Sequence, residues 1–278
     1  MKKRQKKLIL IFLTIIAFFP THLRAKSVWI IKSSVLYRNV PVEIYMPSDY
    51  IISKTFPLVY LLHGYSENYT QWGKITDCQQ LADEYQMIII CPEGYVSFYL
   101  DSSVDYTSHY ESFFFQELVP KVHRELSVDK NNIFISGLSM GGYGALRLFI
   151  RHPQYFNTAG STSGAVDMDY SLFLPISMTF WGNTRMTDDL AKVLGPPIFW
   201  KDNSISSILR DDRDFHRDFI FDCGKEDPLF MSSKGLKDSL DKWNIPATFI
   251  TGPGTHNWDY WKKSIPHHFI FFKQHLKN

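Results

Sequence analysis

Ile133-Phe-Ile-Ser-Gly-Leu-Ser-Met-Gly-Gly-Tyr-Gly-Ala-Leu146 decides the fold of this chain. It holds Gly137-Leu-Ser139-Met-Gly141, a match to G-x-S-x-G. Three fixed positions recur by chance in many sequences, so the flanks carry the argument. The apolar run Ile133–Ile135 predicts a buried strand. Tyr143–Arg151, rich in Ala, Leu and Arg and ending before Pro153, predicts a helix. Strand, sharp turn and helix are the setting of a nucleophile elbow, in which a serine sits at the tip of a strained turn. Glycines belong at 137 and 141 because side chains there would meet the neighbouring strand and helix.

Outward from the elbow, the same alternation repeats. Val28–Ile31 and Val42–Tyr45 predict short antiparallel edge strands. Phe56–Leu62 is continuously apolar, as a strand covered on both faces must be, and it runs into His63-Gly-Tyr-Ser66. Trp72–Tyr85 has helical spacing, Met87–Cys91 reads as a strand, and Tyr95–Ser108 as an aromatic loop. His109–Leu126 reads as a second amphipathic helix. Beyond the elbow, Phe156–Thr162, Phe219–Cys223 and Ala247–Thr251 predict strands, with helices at Leu229–Trp243 and from about Trp258 to His275. The fold class is therefore α/β, a mostly parallel central sheet with helices on both faces. Residues 166–214 break the alternation and are expected to form a helical insertion over one end of the sheet.

The 278 residues suit one large α/β domain, expected to span 26–278. The first 25 are read as a secretory signal. Lys2, Lys3, Arg4, Lys6 and Lys7 precede the apolar run Leu8–Phe19, Pro20 breaks it, and Leu23-Arg-Ala25 offers a small residue for cleavage. That run is shorter than the roughly 20 residues of a membrane span, so no lasting membrane insertion is expected after cleavage. The formal charge of +2 falls to −4 without this segment, which carries six of the 30 basic residues and none of the 28 acids. Nucleic acid is thus not an expected partner. Cys78, Cys91 and Cys223 are too few for a disulfide scaffold, although one bridge is open to them.

A serine hydroxyl needs a base to take its proton, an acid to orient that base and donors for an oxyanion. Loops that follow parallel strands converge on one edge of a sheet. Asp227 and His256 each follow a predicted strand, in loops opened by Gly224 and by Gly252 and Gly254. They are the candidate acid and base for Ser139, with Asp222 and Glu226 as rival acids. Asp259 follows His256 too closely and is expected to point elsewhere. His109, His123, His152, His267 and His268 fall on predicted helices or just after one, and surface positions are expected for all five. No pair of them has the setting of a zinc site. Oxyanion donors are expected from the backbone amides of Met140 and Tyr65.

Leu61-Leu-His-Gly64, the elbow through Ala145, Cys223-Gly-Lys-Glu-Asp227 and His256-Asn-Trp-Asp-Tyr-Trp261 together resemble the esterase D-type branch of the α/β-hydrolases, over about residues 35–275. That branch includes tributyrin esterases, S-formylglutathione hydrolases, feruloyl and acetylxylan esterases, and mycolyltransferases. The resemblance implies the α/β-hydrolase fold, Ser139 as nucleophile, Asp227 as acid, His256 as base, and neither metal nor organic cofactor. An export signal departs from the cytosolic S-formylglutathione hydrolases and argues against a glutathione thioester.

Tyr65, Phe98, Tyr99, Tyr106, Phe180, Trp181, Phe199, Trp200 and Trp258 fall in predicted loops or in the insertion. They can stack on sugar or aromatic acyl groups or simply pack the loops, with Trp258 and Tyr65 the foremost candidates to bind substrate. The expectation is an exported, periplasmic or secreted serine esterase acting on short acyl or hydroxycinnamoyl esters of carbohydrate. An acyltransferase to a sugar hydroxyl and an S-formylglutathione hydrolase-like thioesterase are the alternatives.

Overall fold

The computed structural model describes residues 26–212 and 214–277; the predicted signal segment, 1–25, lies outside them. Among the described residues, eight strands form one sheet: β1 (Lys26–Ser33), β2 (Arg38–Tyr45), β3 (Phe56–Leu62), β4 (Ile88–Pro92), β5 (Val128–Gly137), β6 (Thr158–Thr162), β7 (Ile220–Gly224) and β8 (Thr248–Gly252). Their spatial order is β1-β2-β4-β3-β5-β6-β7-β8. Strand β2 pairs antiparallel with β1 and β4, and every pairing from β4 to β8 is parallel. The order reverses around β3 and β5, so the loops that leave these two strands flank a crevice at their carboxyl ends.

Among the described residues there are ten α-helices: α1 (Gln71–Ile75), α2 (Cys78–Tyr85), α3 (Tyr110–Phe113), α4 (Val119–Glu125), α5 (Met140–Arg151), α6 (Tyr170–Trp181), α7 (Arg185–Leu194), α8 (Ile205–Asp211), α9 (Phe230–Trp243) and α10 (Trp258–Gln274). The pleat divides the core in two. Leu58, Tyr60 and Leu62 of β3 face a layer containing Val122 of α4, Leu146 and Phe149 of α5 and Leu240 of α9. Val59 and Leu61 face the other layer, with Leu81 of α2 and Trp261, Ile265, Phe269 and Phe272 of α10. Burying apolar side chains of this size contributes about 1.5–3 kcal/mol each, which sets the register of the strands against both helix layers. This is the α/β-hydrolase architecture, and α6, α7, a 3-10 turn (Pro197–Asn203) and α8 form the insertion.

Local chemistry moves some boundaries. The helix expected over Trp72–Tyr85 is two helices: Thr76 is extended, and the Asp77 side chain accepts the Gln80 amide at 3.0 Å to start α2 afresh. The helix expected over His109–Leu126 runs from α3 to α4 through a π turn, Phe114–Leu118. Pro120 follows that turn; it lacks an N–H and crowds the carbonyl four residues back, so the ladder widens ahead of it. Cys78, Cys91 and Cys223 are buried free thiols. Burial pushes the thiols of Cys91 and Cys223 well up. No described helix is long and apolar enough to cross a membrane.

Candidate active site

Ser139 stands between the end of β5 and the first turn of α5, with φ 53°. Such a backbone is strained for any residue with a side chain and persists only where its surroundings dictate it. They do so here. A Cβ on Gly137 would meet the Gly141 carbonyl, and one on Gly141 would meet the Leu62 carbonyl. The Ser139 amide donates to the Thr162 carbonyl at 3.0 Å, and its own carbonyl accepts from Ala165 at 3.1 Å. The end of β6 thus braces the elbow from the side.

The loops after β7 and β8 are fastened to each other. Lys225 N–H donates to the Gly252 carbonyl at 2.9 Å and Glu226 N–H to the Gly254 carbonyl at 3.0 Å. Gly224 packs so closely on Gly254 that a Cβ would strike its backbone. This brings His256 Nδ1 to 2.9 Å from Asp227 Oδ2. His256 Nε2 lies 3.0 Å from Ser139 Oγ. The second Asp227 oxygen accepts the Leu229 amide at 2.8 Å. A buried carboxylate beside Nδ1 favours the tautomer with its proton there, leaving Nε2 to accept the Ser139 proton. The edge of Trp261 meets the His256 ring at 5.0 Å and Phe180 lies 6.0 Å from it, so the imidazole is confined on two sides.

Met140 opens α5, so its amide has no partner within the helix. Among the described residues neither it nor the Tyr65 amide donates to a protein acceptor. The loop bearing Tyr65 is held firmly. Gly64 N–H donates to Gln71 Oε1 at 2.8 Å, Tyr99 O–H to the His63 carbonyl at 2.9 Å, and Gly94 N–H to His63 Nε2 at 2.7 Å. The Tyr65 hydroxyl donates to Asp189 of α7 at 2.7 Å, which joins this loop to the insertion. Burial and that hydrogen bond push the Tyr65 phenol up to about 12, so it stays protonated.

A cleft of about 450 Å³ opens above Ser139 and His256. Its walls are mostly apolar, with Phe173, Ile176, Phe180 and Trp181 of α6, Met186 of α7 and Trp258 among them. A second cleft of about 550 Å³ adjoins it across Ile176 and Phe180. His256 and Asn257 line both clefts; Ser139, Gly64 and Tyr65 line the first.

The nine aromatics singled out in the sequence therefore divide. Tyr65, Phe180, Trp181 and Trp258 line the cleft. Phe98, Tyr99 and Trp200 are fully buried core residues, while Tyr106 and Phe199 are exposed and line neither cleft. Of the rival acids, Asp222 lies inside β7, bonded to Thr162, Ser264 and His268, and Glu226 is exposed and accepts the Gly254 amide. Asp259 is exposed in the first turn of α10.

The expectation that His268 lies at the surface is wrong: it is fully buried. Trp261, Ile265, His268 and Phe272 recur at spacings of four, three and four, which puts His268 on the core-facing stripe of α10. That spacing was the available signal, masked by the polarity of the residue. His267, one position earlier, is exposed as expected.

The profile of the family described as "Putative esterase" matches residues 33–272. The chain belongs to this esterase family. It is a serine carboxylic-ester hydrolase by that membership. An "Acetyl esterase" of Caldicellulosiruptor saccharolyticus is 26% identical over 255 residues, covering 85% of this esterase and 94% of the relative. A "Diacylglycerol acyltransferase/mycolyltransferase Ag85A" of Mycobacterium tuberculosis is 23% identical over 248 residues, covering 74% and 69%. Among solved structures, a ferulic acid esterase superposes with a TM-score of 0.76 at 22% identity, covering 91% of this chain and 98% of its own.

Proposed function

We propose that this esterase cleaves its substrate through Ser139, His256 and Asp227, by way of an acyl-enzyme. The observation that carries the reading is the unbroken relay from Ser139 Oγ to His256 Nε2, and from His256 Nδ1 to Asp227 Oδ2, at the mouth of a cleft. As Ser139 Oγ attacks the ester carbonyl, His256 takes its proton and Asp227 holds the imidazolium. The amides of Met140 and Tyr65 receive the oxyanion, at no reorganisation cost because their backbone is already fixed. His256 returns the proton to the departing alcohol oxygen, and water then releases the acyl group by the same steps in reverse.

The two clefts give the halves of the ester different places. The inner cleft touches both Ser139 and the Tyr65 loop, so it takes the acyl group, which stays bonded to Oγ with its oxygen on the amides. The adjoining cleft reaches His256 without Ser139, which suits the alcohol that His256 protonates. Its lining is largely apolar, with Pro175, Ile176 and Pro228; Thr179, Glu226 and Thr255 add hydrogen-bonding groups and Phe180 an aromatic face on which a sugar ring can stack. The substrate we assign is a short acyl or hydroxycinnamoyl ester of a carbohydrate. The N-terminal charge and hydropathy pattern supports export as the route to such a substrate.

Ser139→Ala should lower hydrolysis of p-nitrophenyl butyrate by at least about a thousandfold, leaving only what binding and the oxyanion donors supply. Wild-type turnover in that variant would end the proposal. A second reading, transfer of the acyl group to a sugar hydroxyl, is favoured by the likeness to the mycobacterial acyltransferase and by the room beside His256 for an acceptor. Product analysis with an added saccharide separates the two: acylated saccharide in excess of free acid marks a transferase.

A further inference from the structure

Beneath the cleft, Asp222 is the centre of a buried polar cluster. Its Oδ1 accepts from Thr162 Oγ1 at 2.7 Å, and its Oδ2 accepts from Ser264 Oγ at 2.6 Å and meets His268 Nε2 at 2.7 Å. The other ring nitrogen, Nδ1, meets Ser136 Oγ at 2.7 Å. All five side chains are buried, and none lines the cleft above Ser139. A buried carboxylate stripped of its donors is costly, so such a cluster tolerates one arrangement of the elements that supply it.

Those elements carry the proposed catalytic groups. Ser136 lies on β5, three residues before Ser139, Asp222 lies on the strand that runs into the Asp227 loop, and α10 begins two residues after His256. Thr162 ends β6, and its carbonyl accepts the Ser139 amide. The neighbouring Ser163 amide donates to the Asp222 carbonyl at 2.8 Å. One carboxylate thus ties together the mounts of all three side chains and the brace of the strained elbow.

We propose that Asp222 and His268 are positioning residues that set the mutual placement of Ser139, Asp227 and His256. The proposal rests on the catalytic reading above. A misplacement of about 1 Å within such a constellation can cost on the order of a hundredfold in rate. A cluster that merely stabilised the fold would lower the melting temperature and leave turnover per folded site alone.

The test is kcat per active site, with sites counted by a fluorophosphonate probe, in His268→Phe, His268→Gln and Thr162→Val. Phe fills the ring's volume and bonds neither neighbour, whereas the Gln amide can donate to Asp222 and accept from Ser136. His268→Phe should lose about 10- to 100-fold in kcat with KM within about twofold, and His268→Gln should recover to within about threefold of wild type. The downfield proton resonance of His256 Nδ1–H should shift in the Phe variant and return in the Gln variant. Wild-type kcat per site and an unmoved resonance in His268→Phe, with only its melting temperature lowered, would overturn the proposal. If His268→Phe does not fold, Thr162→Val decides in the same way: a several-fold loss of kcat supports positioning, and an unchanged kcat overturns it. If the probe fails to label Ser139, or Ser139→Ala keeps turnover, the catalytic reading itself fails, whatever the cluster variants do.

Discussion

The floor of the cleft holds a strained serine, glycines with backbone pressed against them and a buried carboxylate with two partners. The roof is α6, twelve residues without a charge, which leaves Met178 48% and Phe180 47% exposed. On the floor, the side chains of Ser139, His256 and Asp227 are paired and backbones touch, so a change of one atom is felt. On the roof, apolar side chains stand half in water around space that a substrate can fill. The contrast separates two tasks. Chemistry needs groups held to a fraction of an ångström, whereas selectivity among esters needs only the shape and polarity of a wall. Tyr65 joins the two, since its backbone belongs to the floor and its hydroxyl holds Asp189 of the insertion.

Substitutions can break or sharpen this contrast. The largest effect is expected from Asp227→Asn, which offers Nδ1 no anion and favours the wrong tautomer of His256. Its kcat should fall by about 10³- to 10⁴-fold with the fold intact by circular dichroism. A loss below about tenfold would place the acid elsewhere.

Next comes Glu111, which anchors the far end of the elbow helix. Its carboxylate meets Arg147, Arg151 and His152, and it is buried with Arg147. Burial pushes this carboxyl up, but hydrogen bonds from His152 and Arg147 and the Arg147 charge outweigh burial and hold it well below the usual range. A lowered carboxyl adds stability that is complete above its unfolded value of about 4.3 and is lost as pH falls from there through the native value. Glu111→Gln leaves Arg147 buried without its counter-charge and should cost about 3–5 kcal/mol at pH 7, read from urea midpoints. That gap should narrow as pH drops below about 4; a gap independent of pH would remove the charge from the explanation.

On the roof, the expected effects are smaller and of another kind. Phe180→Ala removes part of the wall between the two clefts. It should change the kcat/KM ratio between a bulky and a small alcohol, at fixed acyl group, by about tenfold, equivalent to about 1.4 kcal/mol. Steady-state kinetics on methyl acetate and an acetylated saccharide measure this. An altered acyl-length preference with an unchanged alcohol preference would reverse the assignment of the clefts. Smallest of all, Met178→Ser should move thermal stability by no more than about 0.5 kcal/mol. A larger loss would mean that α6 is part of the core.

The elements were legible where a local rule applied. Phe56–Leu62 is a strand with the expected ends, because seven apolar residues between turn signals can be little else in a sheet covered on both faces. The helix break at Thr76 and Asp77 was missed because it depends on a cap that the apolar stripe running through it conceals. Among the candidate site residues, the sequence placed Asp227 and His256 at loop positions but left Asp222 open, because strand ends shift by a residue or two without changing the pattern.

What the chain determines by itself is the elbow and the alternation around it. Glycines pressed against backbone, apolar runs and helical stripes act over a few residues, and their signatures lie in consecutive letters. What only the tertiary structure decided is which carboxylate faces His256, which aromatics reach the cleft, and that His268 lies inside. Each of these depends on the direction of a side chain, set by strand twist and by the packing of elements distant in sequence. One residue of shift along β7 or α10 would turn Asp222 or His268 to another face, and no stretch of sequence records that register alone.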